Sequence, residues 1–138
     1  MKQSLADIAE LSSKRNSARI LAAEKINQDI REVTGSLIES KIEGPIYHWE
    51  SSPIKDEVGY EIGHINFGLC WNGEKILYCF DPPDGDFDYD WPKNGKPLLG
   101  ESIDIRIAMR KSLDLLLDHV MDKLNEDIIN YEGKENEN

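Results

Sequence analysis

Little in this 138-residue sequence invites a chemical reaction. There are two cysteines, too few for a disulfide scaffold. There are three histidines, His48, His64 and His119, and no HxH, HExxH or CxxC spacing, so no zinc motif is present. No glycine-rich loop offers to cradle a phosphate, and no serine or cysteine stands at an evident turn to complete a nucleophilic triad. No apolar run approaches the ~20 residues that span a bilayer. The opening stretch MKQSLADIAELSSKRN lacks the apolar core of a secretory signal. These absences argue against an enzyme and a membrane protein. They give no cofactor and no metal site, and they make a reducing cytoplasm the expected setting.

Basic residues are also scarce. Sixteen Lys and Arg face 27 Asp and Glu, for a net charge of −11. The imbalance is local. Residues 1–44 carry seven bases and seven acids; residues 45–100 carry four and ten; residues 101–138 carry five and ten. The negative field therefore belongs to the middle and the end of the chain. Such a field repels nucleic acid and anionic membrane and attracts basic surfaces. The expectation on this ground is no direct nucleic-acid binding.

What is present is a patterned α+β domain. Ala23, Ile26, Ile30, Val33 and Leu37 recur at steps of three and four, one stripe of a helix running from residue 3 to about 41. The polar stretch Ser12 to Ser17 suits a kink, Gly35 an earlier end, and Gly44-Pro45 a firm stop. Residues 46–50 read as a short strand and SSPIKDE as a loop. Residues 46–81 as a whole read as antiparallel strands, with Asn72-Gly73 set between two apolar alternating runs as a two-residue type I′ hairpin turn requires. That turn places Leu69 opposite Ile76, Phe67 opposite Tyr78 and His64 opposite Asp81. It also sets Cys70 and Cys79 roughly 13 Å apart, beyond disulfide reach. The apolar phase changes at Gly63, where a bulge is expected. Leu113, Leu116, Leu117, Val120, Met121, Leu124 and Ile128 give a second helix one broad apolar face over residues 102 to about 130, with Ser102 or Asp104 as its cap. The alternation of Ile103, Ile105 and Ile107 also suits a short strand ahead of it.

The sequence thus predicts one domain over residues 1–131: a long N-terminal helix, a three- to four-stranded antiparallel sheet and a C-terminal helix packed on it. The sheet face carrying Phe67, Leu69, Ile76 and Tyr78 should lie under the helices, and residues 82–100 at the surface. Residues 132–138 read as a disordered acidic tail.

Two acidic rows stand out. Asp84, Asp86, Asp88 and Asp90 alternate with Phe87, Tyr89 and Trp91. In an extended segment the rings take one side and the carboxylates the other, ~6.6 Å apart. The spacing resembles a calcium loop only briefly: Tyr89 stands where an EF-hand needs glycine and Gly95 where it needs glutamate. The second row, Asp114, Asp118, Asp122 and Glu126, recurs every four residues opposite the leucines of the C-terminal helix. Its neighbouring like charges cost about 0.2–0.5 kcal/mol each, and Arg110 at one end relieves little. Asp84, Asp86, Asp88, Tyr89, Asp90, Trp91, Asp114, Asp118, Asp122 and Glu126 together form the expected partner-binding set. The function they suggest is a small acidic inhibitor, of the immunity, anti-defence or nucleic-acid-mimic kind, that blocks a basic surface of a nuclease, a toxin or another nucleic-acid-handling protein. The alternative is a homodimeric acidic chaperone or adaptor, with the stripe from Ala23 to Leu37 as its seam.

Overall fold

A computed structural model describes residues 2–81 and 95–133. Helix α1 spans Lys2–Glu39 without a break; neither the serine-rich stretch nor Gly35 interrupts it. It ends in a Schellman motif. Lys41 takes a left-handed φ of 56°, its N–H donates to the Ile38 carbonyl, and the Ile42 N–H donates to that of Leu37, both at 3.0 Å. Two of the end carbonyls that a helix leaves open are satisfied this way.

Four antiparallel strands follow in the spatial order β1-β2-β3-β4: β1 Ile46–Lys55, β2 Glu61–Trp71, β3 Ile76–Asp81 and the two-residue β4 Lys96–Pro97. β1 is twice the expected length, because its outer edge needs no partner and so tolerates Pro53. The looked-for bulge is present. Ile54 pairs with Gly63 and Lys55 with Glu61, which leaves Ile62 as the extra residue of β2.

The β2–β3 register corrects the sequence reading by two residues. Trp71 pairs with Ile76, Leu69 with Tyr78 and Phe67 with Phe80. A type I′ turn needs positive φ at both central residues, and only Gly73 has it, at 98°. Asn72 instead accepts the N–H groups of Glu74 and Lys75 on its side-chain oxygen, each at 2.9 Å. That Asx-type turn lengthens the connection to four residues. A shift of two preserves the faces. It brings Cys79 opposite Gly68, so the cysteines become a diagonal pair roughly 7–8 Å apart and not ~13 Å; both are buried and free. His64 pairs with Pro53, and Asp81 with Asn66. The expected His64–Asp81 pairing does not form, and His64 lies 3.5 Å from Glu61 instead.

A 3-10 turn, Leu98–Gly100, leads into α2, Ile103–Ala108, and α3, Arg110–Glu132. Ser102 is the cap, its Oγ accepting the Ile105 N–H at 3.3 Å. The helix reading of residues 102 to 130 is interrupted at Met109, and the Ile103–Ile107 alternation belongs to helix and not to strand. α3 closes at Gly133 in the left-handed conformation, so the first residues of the expected tail complete a helix end. Residues 134–138 lie outside the described residues, as do residues 82–94. Leu98, placed with the surface loop by its sequence context, is fully buried.

The core lies between one sheet face and the helices. Leu69, Trp71 and Ile76 meet Ile26, Ile30 and Leu37 of α1, Leu98, and Leu113, Leu116 and Val120 of α3, with Phe67 and Tyr78 packed against the edge. The stripe from Ala23 to Leu37 is thus spent inside its own chain. The Trp71 indole N–H donates to the Ile42 carbonyl at 2.9 Å, which ties the end of α1 to the sheet. Toward its N-terminus α1 leaves the core. Leu5, Ile8, Leu11, Ile20 and Leu21 are all exposed, and the last tertiary ion pair along it among the described residues is Arg19, 3.1 Å from Asp104.

Candidate functional site

α3 carries the described part of the acidic surface. Leu113, Leu116 and Val120 fix one face of the helix on the sheet, so the opposite side is held rigidly toward solvent. Asp114, Asp118, Asp122 and Glu126 are all exposed there. Each step of four residues overshoots a turn by about 40°, so the row winds round the helix over roughly 18 Å. Its ends are tempered. The Arg110 guanidinium lies 2.8 Å from Asp114 and also 2.8 Å from Asp29 Oδ2, a contact near enough to ion-pair but poorly aligned for a hydrogen bond. Arg110 therefore does more at that end than the sequence suggested, and the Asp114 hydrogen bond, partly offset by desolvation, raises its pKa above the usual value. Lys123 pairs with Asp127 at 2.9 Å and also feels the charge of Glu126. At the centre, Asp118 and Asp122 have no ion-pair partner among the described residues. The second expected row, Asp84, Asp86, Asp88, Tyr89, Asp90 and Trp91, lies outside the described residues.

Beside this row lies a polar cluster that the sequence reading missed. On β1, Ile46, His48 and Glu50 face the helices, paired with Trp71, Leu69 and Phe67. α3 crosses β1 there and sets Ser112 and His119 against them. Ser112 donates from Oγ to Glu50 Oε2. Glu50 Oε2 lies 3.1 Å from His48 Nε2. His48 Nδ1 lies 3.1 Å from His119 Nε2, and the two rings meet nitrogen to nitrogen, with centroids 5.3 Å apart and planes 27° from parallel. The His48–Glu50 distance is that of an ion pair, but the alignment falls short of a hydrogen bond, and Nε2 has no other hydrogen-bond partner among the described residues. We therefore treat the contact as electrostatic. It still assigns a proton, since a bare nitrogen lone pair facing a carboxylate would be repelled.

The cluster is not a nucleophilic triad. Ser112 donates to the carboxylate rather than to an imidazole, and at 2% exposure no substrate reaches it. The one signal in the sequence was the alternation Ile46-His48-Glu50, two ionisable side chains on the core side of a strand. His119 gave none, since its position on the helix projects away from the apolar face, where an exposed histidine needs no explanation.

On the other sheet face, Trp49 lies over Gly68. A Cβ at Gly68 would run into the His48 carbonyl oxygen and sit 2.8 Å from Trp49 Cε3. Cys70 lies nearby, and burial pushes its thiol up to about 11, which makes it an inert apolar filler. A concavity of about 430 Å³ lies between Tyr78, Phe80, Lys96, Glu101 and Ile105; its one cation and one carboxylate do not make a catalytic set. Among the described residues no three His, Cys, Asp or Glu side chains converge as a metal-holding group, and no helix is long and apolar enough to cross a membrane. The chain matches no protein-family model, no curated protein and no solved structure.

Proposed function

We propose that the chain is a small acidic protein-binding inhibitor that acts in the cytoplasm and occupies a basic surface of a nuclease or another nucleic-acid-handling protein. The observation that carries this reading is the state of Asp118 and Asp122. They are exposed, without ion-pair partners among the described residues, and mounted on a helix whose other face is fixed in the core. Fixed carboxylates offer a Lys- and Arg-rich surface a preorganised partner, and their field speeds encounter in a salt-sensitive way. The charge total of −11 acts in the same direction. No enzymatic role is part of the proposal.

The test uses matched baits, the full chain and its Asp118→Asn/Asp122→Asn/Glu126→Gln variant, against an extract of the native host. The reading is supported by a basic protein that the full chain retains at about 50 mM salt, releases by about 500 mM, and that the variant fails to retain. Identical captured sets on both baits would remove α3 from the function.

A further inference from the structure

We propose that His48 and His119 form a two-imidazole chelate for a borderline divalent transition metal ion of the Zn²⁺ or Cu²⁺ class. The proposal goes beyond the docking reading and stands without it. No sequence spacing announces the site, because the two ligands are 71 residues apart in the chain and are joined only where α3 crosses β1.

Three features of the cluster suit a metal. The first is the bite. Zinc binds imidazole nitrogen at 2.0–2.1 Å, so two such nitrogens stand about 2.9 Å apart at a right-angle bite and about 3.3 Å apart at a tetrahedral one. The observed 3.1 Å between His48 Nδ1 and His119 Nε2 falls between these limits. Without a metal, that distance is a hydrogen bond in which one ring donates and the other accepts. A bound ion lies to one side of the line between the two nitrogens, so the exposed His119 ring turns to bring its lone pair onto it. The displaced proton passes through solvent to His119 Nδ1, so both rings stay neutral.

The second feature is the tautomer. A ligating imidazole commonly presents its other nitrogen to a carboxylate, which fixes the proton on the far side and raises the basicity of the ligand. Glu50 Oε2 occupies that place, 3.1 Å from His48 Nε2, and Ser112 holds the carboxylate from behind. The proton is kept on Nε2 and the Nδ1 lone pair is left for the ion. Glu50 and Ser112 are positioning residues and do not touch the metal.

The third feature is access and field. His48 is largely buried and fixed, with 12% of its side chain exposed, whereas His119 is exposed and opens the site to solvent, where water completes the coordination. Asp122 and Glu126 follow His119 by three and seven residues, on its side of α3, and their charge draws cations toward it.

The experiment titrates the full chain with Zn²⁺ and with Cu²⁺ in a non-chelating buffer, read by calorimetry and by the shifts of the two imidazoles in NMR spectra, with Mg²⁺ as competitor. The expected result is one-to-one saturation that Mg²⁺ does not reverse, since Mg²⁺ prefers carboxylate and water to imidazole. His119→Ala, an exposed change that spares the fold, should weaken binding at least tenfold. Glu50→Gln should weaken it about ten- to hundredfold, and His64→Ala should leave it unchanged. Failure of the full chain to saturate overturns the proposal. So does a His119→Ala protein that binds as tightly as its parent, or displacement by Mg²⁺, which would move the ion to surface carboxylates.

Discussion

Replacing both Asp118 and Asp122 by Asn should stabilise the fold while it weakens docking. Along α3 the pairs Asp114–Asp118, Asp118–Asp122 and Asp122–Glu126 are like charges four residues apart, each unfavourable by about 0.2–0.5 kcal/mol. The double change removes all three, a gross relief of roughly 0.6–1.5 kcal/mol. Two of the three terms are reduced beforehand, because Arg110 sits on Asp114 and Lys123 lies near Glu126. A net gain of about 0.5–1 kcal/mol remains. Asn and Asp have similar helix propensity, so propensity does not confound the result. In a domain of this size the gain corresponds to a rise in Tm of roughly 2–5 °C, measurable by circular dichroism at low ionic strength. The same melt in about 1 M salt, where the screening length falls to about 3 Å, should erase most of the difference. An unchanged or lowered Tm at low salt would show that the row is neutralised by groups not considered, and the argument for free carboxylates would fail with it.

Three other outcomes follow from the geometry. Lys41→Gly should raise stability by about 1 kcal/mol in chemical denaturation, because Lys41 holds the left-handed C-terminal position of α1 that glycine adopts without a Cβ clash; a loss would mean that the lysine side chain stabilises that end more than its backbone strains it. Cys70 and Cys79 should resist a thiol reagent at pH 8 in the native protein and react fully in denaturant, since both are buried and Cys70 is held as the neutral thiol. The hydrogen bond and charge of Arg19 hold the Asp104 carboxyl below its usual range. The folded pKa is thus lower than the unfolded one, so the pair's contribution is present above the ordinary carboxylate pKa and is lost as pH falls through the folded value. Asp104→Asn should flatten the stability profile in that acidic window alone, and a difference that persists only above neutral pH would refute the assignment.

The legible parts of this fold were those in which local pattern and tertiary need agree. The stripe from Ile26 to Leu37 and the first half of the α3 face, Leu113, Leu116 and Val120, are buried as their spacing marked. Met121, Leu124 and Ile128 farther along the same expected face are exposed, because the helix runs on past the sheet-packed part of its length. Ser102 capped where its position said it should. The hairpin formed where it was expected, but its turn type and register were misjudged because Asn72 has two uses, a left-handed backbone or a side-chain acceptor, and sequence does not say which is taken. β1 was cut short because Pro53 reads as a breaker until the strand is known to lie at an edge. The acidic row on α3 was readable from its spacing, but the pairing of Arg110 with both Asp114 and Asp29 was not, because Asp29 arrives from another helix. The His48–Glu50–Ser112–His119 cluster was the least legible. Its members come from two elements far apart in the chain, and no spacing within either element brings them together.

Helix α1 has a further consequence for how the chain opens. Its 38 residues measure about 57 Å, yet its buried positions all lie from Ala23 onward. Most helical stability in a protein comes from tertiary packing, which this stretch lacks. The backbone hydrogen bonds of α1 should therefore be graded, short-lived near Leu5 and lasting as long as the whole fold near Ile30. Amide exchange along this one rod would then read out, residue by residue, how far the order imposed by the core travels into a segment that the core no longer touches.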